Sequence, residues 1–108
     1  MKIRLFLTPV CVALAFGCGS TAFAQGALDG AKLFQDKTCW SCHGKDAKTP
    51  IMPVYPKLAG QNADYALQQM KDIKSGTRSN GQSAAMKGVM GLVSDDEMKA
   101  IADWLSKQ

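Results

Sequence analysis

Histidine is almost missing from this chain: His43 is the only one in 108 residues. No metal centre within one molecule can therefore use two imidazoles. Cysteine is scarce as well, at four, and Cys11 and Cys18 lie in an N-terminal stretch that reads as a leader. Cys39, Cys42 and His43 are then one donor short of a four-ligand structural zinc site, and no fourth soft ligand stands at a suitable spacing. A bridge between cysteines so close in sequence would shut a very small loop and stabilise little. The apolar run from Leu5 is broken by Pro9 and by Gly17 to Thr21, so it falls short of the ~20 residues that span a bilayer. No useful length of chain alternates apolar and polar residues, which argues against strands. There is no internal repeat and no low-complexity linker.

What is present begins with that leader. Lys2 and Arg4 precede an uncharged run from Leu5 to about Gly17, then small and polar residues and Ala22-Phe23-Ala24. This is the order of a secretory signal peptide, with cleavage expected between Ala24 and Gln25. Lipid attachment at Cys18 is the less suitable alternative, because Ala15 and Phe16 fit a lipoprotein signal poorly. Residues 1–24 are thus expected to be removed, leaving a single small domain over residues 25–108. Losing Lys2 and Arg4 lowers the formal net charge from +4 to +2. So small a balance gives no reason to expect a nucleic-acid or membrane partner.

Three segments carry helical signals. Leu28 to Lys37 places Leu28, Ala31 and Phe34 at helical spacing, with Gly30 inside it at a cost of ~1 kcal/mol relative to Ala. Asn62 is a good N-cap and Gly76 a good C′ residue. Between them lies an apolar stripe of Ala63, Ala66, Leu67, Met70 and Ile73. The clearest start is Ser94 with Glu97, a capping box, preceded by Val93, which can staple against Met98. Met98, Ile101, Ala102 and Leu105 then define one buried face, with Trp104 at its border. The segments 44–61 and 76–93, rich in Pro and Gly respectively, are expected to be irregular. In so small a domain such long loops have something to wrap. The fold class is all-α.

Cys39-Trp40-Ser41-Cys42-His43 is the C-x-x-C-H pattern of c-type haem attachment. Two thiols three residues apart at a helix end can reach the two vinyl groups on one porphyrin edge and form thioethers. His43 then directs its imidazole at the iron. A thioredoxin-like reading needs a strand–helix context that is lacking. Covalent attachment also supplies the staple that a domain of this size needs. One haem c, covalent and with iron, is the cofactor expected.

With no second histidine, the sixth ligand comes from elsewhere, and methionine thioether is the usual partner in electron-carrying cytochromes. Beyond His43 stand Met52, Met70, Met86, Met90 and Met98. Met70 and Met98 fall on apolar helix faces and read as core. Met52 is close to His43 in a proline-rich loop. Met86 and Met90 share the glycine-rich segment before the last helix, and spacing alone does not separate them.

With these motifs in view the chain resembles a class I bacterial monohaem cytochrome c, of the cytochrome c4/c5/c553-like group. The likeness rests on residues 39–44, on Tyr55-Pro56-Lys57-Leu58-Ala59-Gly60-Gln61 leading to Tyr65, on Asp72-Ile73-Lys74-Ser75-Gly76, and on residues 92–105. It implies a class I fold of three to five helices around one covalent haem. It implies that Met86, a loop ahead of Ser94, is the sixth ligand. It further implies that Gly30 and Phe34 meet Ile101 and Trp104. Near His43 it implies Pro50 or Pro53, with a backbone carbonyl fixing the imidazole through Nδ1–H.

The function expected is that of a periplasmic electron carrier with His43/Met86 ligation cycling between Fe(III) and Fe(II). It is not an enzyme, and it has no small-molecule substrate, nucleic-acid partner or membrane insertion after leader cleavage. Its partners would be redox proteins met by transient docking, with Lys45, Lys48, Lys57 and Lys87 flanking the haem loops. Two alternatives fit the same haem motif: a fixed haem subunit of a larger oxidoreductase, and a haem enzyme or gas sensor with an open sixth site. Co-purification in a stable complex would mark the first, and rapid carbon monoxide binding the second.

Overall fold

The computed structural model describes residues 28–108; the expected leader and its cleavage point lie outside the described residues. Helix α1 is Gly30–Asp36, α2 Trp40–His43, α3 Ala63–Ser75, α4 Ser83–Met90 and α5 Asp95–Leu105, with no strand among the described residues. No helix among them is long and apolar enough to cross a membrane.

Local chemistry fixes the ends of the longer helices. At α5 the Ser94 hydroxyl accepts from the Glu97 N–H and the Glu97 carboxylate accepts from the Ser94 N–H, both at 3.2 Å. Asp95, Asp96 and Glu97 fill its first turn, where the helix dipole favours negative charge. The carboxamide oxygen of Asn62 accepts from the Tyr65 N–H at 3.0 Å to start α3, and Gly76 ends it in the left-handed region. Both boundaries agree with the sequence reading. Helix α1 starts later than expected: Asp29 caps it by accepting from the Lys32 N–H at 3.1 Å.

Phe34, Met98, Ile101, Ala102 and Leu105 are almost completely buried, and with Met70, Ile73, Met90 and Val93 they form one core. Helix α5 lies at its centre, packed against α1 and α3, and α4 packs against α3. The α1–α5 crossing needs Gly30. A Cβ there would collide with the Ala100 carbonyl oxygen and lie 2.6 Å from the Trp104 Cβ. Beside it the Phe34 and Trp104 rings meet at 5.0 Å between centroids. The expected close crossing is present, with Ala100 rather than Ile101 against the glycine.

Helix α4 departs from the expectation of an irregular loop between residues 76 and 93. The glycines at 81, 88 and 91 suggested a break, yet Ser83–Met90 is helical. Tertiary burial of Ser83 and Met90 outweighs the weak local propensity.

Candidate functional site

The segment carrying Cys39, Cys42 and His43 is shaped by backbone hydrogen bonds within a dozen residues. Thr38 has a φ of 62°, unusual for a β-branched residue, and it turns the chain from α1 into α2. The Cys39 N–H donates to the Phe34 carbonyl at 3.1 Å, and one helical turn follows, with His43 N–H donating to the Cys39 carbonyl at 3.1 Å. Residues three and four apart share a face of such a turn. Cys39, Cys42 and His43 therefore lie together on the wall of one cavity. Gly44 ends the turn at a φ of 83°, with the Thr49 carbonyl oxygen in the space a Cβ would take.

His43 is only 6% exposed. Its Nδ1 lies 2.8 Å from the Pro56 carbonyl oxygen. A carbonyl oxygen can only accept, so Nδ1 carries the proton and Nε2 keeps its lone pair, the form that binds a metal. Burial pushes the imidazole below its ordinary pKa, and the Pro56 bond offsets part of this. The carbonyl is that of Pro56, which corrects the expected Pro50 or Pro53. The Ile51 N–H donates to the Cys42 carbonyl at 3.1 Å, and the Tyr55 N–H to the Met52 carbonyl at 3.1 Å. These bonds carry residues 50–53 past the histidine before the chain returns to it. Met52, 45% exposed, lies off the cavity wall.

Cys39 and Cys42 are half-buried free thiols. Burial pushes the Cys39 thiol up to about 11, with the nearby Cys42 adding to the effect. That is the reverse of the low-pKa thiolate of a redox-active C-x-x-C. Among the described residues no three His, Cys, Asp or Glu side chains are grouped to hold a metal ion.

The cavity measures about 590 Å³, inside the ~300–1,000 Å³ range of sites for small molecules and cofactors. Beyond the cysteine turn its wall is mostly apolar and includes Phe34, Ile73, Val89, Ile101 and Leu105. Of the five candidate methionines, Met70, Met86 and Met90 border it, whereas Met98 is fully buried elsewhere in the core. Met90 is 2% exposed and Met86 only half-buried. One wall residue was not singled out from sequence. Arg78 is half-buried, and its Nη1 donates to the Gln69 carboxamide oxygen at 2.9 Å. The available signal was its rarity, since it is the only arginine after Arg4.

These features fit a haem. The thiol pair and the imidazole lie on one turn, the walls are apolar, and Arg78 on the wall is a cation that would suit the porphyrin's carboxylates. A helical shell with this wall defines a haem-carrying protein. Residues 27–108 match the model of the Cytochrome c family, and the chain belongs to that family, as a class I bacterial cytochrome c. It is 38% identical to cytochrome c-553 of Nitratidesulfovibrio vulgaris, over 99% of each chain. It is 36% identical to cytochrome c4 of Stutzerimonas stutzeri, over 94% of this chain but only 51% of that protein. A thiosulfate dehydrogenase electron acceptor of the same species is 36% identical over 78% of this chain and 36% of its own length. The chain is accordingly a haem electron-transfer protein with one covalent haem c.

Proposed function

We propose that this cytochrome is an exported, periplasmic carrier, its leader removed after Ala24 and its haem joined through Cys39 and Cys42. His43 and Met86 would hold its iron. The observation that carries this reading is the one-turn helix α2 with its N-cap Cys39, which together present both thiols and a buried imidazole to one cavity, with the ring oriented by Pro56. Met86 is favoured over Met90 by its surroundings: it lines the cavity half-exposed, whereas Met90 is already used as core packing.

The haem supplies a one-electron Fe(III)/Fe(II) couple. Around it the chain provides a neutral imidazole and a thioether, a donor pair that raises the reduction potential. The apolar wall acts in the same direction by disfavouring the more highly charged ferric state. Two protein ligands leave no iron position for a substrate, so the protein relays electrons and is not an enzyme. Lys45, Lys48, Lys57 and Lys87 are all exposed, with Lys57 on the cavity rim, and they suit weak docking to other redox proteins. The likeness to a thiosulfate dehydrogenase electron acceptor supports a dehydrogenase as the donor.

The test is the methionine–iron charge-transfer band of the ferric protein. Met86→Ala is expected to abolish it and to open the reduced protein to carbon monoxide. Survival of the band in Met86→Ala, with loss in Met90→Ala, would transfer the assignment to Met90.

A further inference from the structure

Helix α4 carries Met86 on weak local foundations. It is eight residues long, contains Gly88, has no side-chain N-cap bond at Gln82 and runs into Gly91. A thioether binds iron weakly, so its persistence as a ligand depends on what holds this helix in place. At its C-terminal end the connection to α5 leaves two consecutive carbonyls, those of Leu92 and Val93, without a backbone donor among the described residues. Both are taken by lysine ammonium groups from elsewhere in the fold. Lys37 Nζ donates to the Leu92 carbonyl at 2.8 Å and Lys74 Nζ to the Val93 carbonyl at 2.5 Å.

The two lysines start from significant places. Lys37 is the C-cap of α1, two residues ahead of Cys39. It also pairs with Glu97 at 2.9 Å, and Glu97 belongs to the α5 capping box. Lys74 is in the last turn of α3. The haem-attachment segment and α3 are therefore each strapped to the exit of the methionine helix. Hydrogen bonds from charged groups are the stronger class, and the Lys37 side chain is only 25% exposed.

We propose that Lys37 and Lys74 are positioning residues for the sixth ligand, fixing the Leu92–Val93 connection so that Met86 is slow to leave the iron. This rests on the Met86 assignment above. The test uses the mature ferrous holoprotein mixed with saturating carbon monoxide, where the binding rate is limited by departure of the methionine. Lys37→Met and Lys74→Met, which keep the alkyl stem and remove the donor, should each raise that limiting rate about tenfold. Lys37→Arg should retain the slow rate. Lys99→Met, which breaks an exposed pair with Asp103 on α5, should change it less than twofold. Asn62→Ala, which removes the α3 cap away from this junction, is the control for general loss of stability.

An unchanged rate in both lysine variants would overturn the proposal, as would an equal rise in Asn62→Ala. Should a lysine-to-methionine variant fail to mature, Lys37→Gln and Lys74→Gln read the same rate under the same criteria. Met86→Ala separates the two claims. If it does not abolish the rate limit, the ligand assignment fails. If it does and the lysine variants still match the parent, only the role of the lysines fails.

Discussion

The two sides of the haem cavity are held by different means. The segment from Thr38 to Gly44 takes its shape from its own backbone: α1 hands over to α2 through short-range hydrogen bonds, and the Pro56 carbonyl locks the histidine. The segment from Ser83 to Val93 has its own helical backbone bonds but no side-chain N-cap, and it is held against the rest of the fold by buried side chains and by lysines distant in sequence. The attachment side must present three groups in one fixed geometry, and contiguous residues do this well. In the proposed ligation the methionine side needs only to bring one soft donor to the cavity, so its position can be left to tertiary contacts.

The largest expected effect removes the support that both sides share. Gly30→Val puts side-chain atoms where the Ala100 carbonyl already lies, and denaturant titration should show a loss of about 3 kcal/mol or more. Because α1 leads into the cysteine turn, haem incorporation should fall with it. A smaller change tests the methionine side alone. Ser94→Ala removes one half of the α5 capping box and should lower stability by about 1 kcal/mol, while the His43–Pro56 arrangement stays intact. On the attachment side Thr38→Asn should do the opposite. Asn tolerates the left-handed region better than a β-branched residue, so thermal unfolding should show a gain of about 0.5 kcal/mol.

The smallest effect is one of pH. The Lys37 ammonium, chiefly, and the Ser94 N–H hold the Glu97 carboxyl below its ordinary value of 4.5. A carboxyl lowered on folding contributes stability that is complete above the unfolded value and is lost as pH falls through the folded one. Unfolding measured from pH 6 downward should therefore show a decline beginning near pH 5. In Glu97→Gln that component of the decline should be missing.

The same contrast explains what could be read from sequence. The caps at Asn62 and Ser94 and the cysteine turn are encoded within a few residues each, and the structure has them where the pattern places them, whereas the Gly30 crossing with the last helix was legible only through the family resemblance. Helix α4 was hidden because its glycines signal a loop, and the packing of Met90 and Val93 that overrides them is not local. Pro56 was hidden for a related reason. Three prolines follow His43 within the same loop, and which carbonyl faces the ring depends on how Ile51 and Tyr55 fold the chain back. Arg78 is brought to the cavity by a turn after α3, where its N–H donates to the Asp72 carbonyl and its guanidinium to Gln69.

The most direct test of the central claim is the intact mass of the exported protein after acid–organic extraction. Cys39 and Cys42 acting as thioether anchors predict a chain beginning at Gln25 that stays coloured and is heavier than its polypeptide by one haem. A colourless chain of unmodified mass, with the pigment in the organic layer, would contradict it.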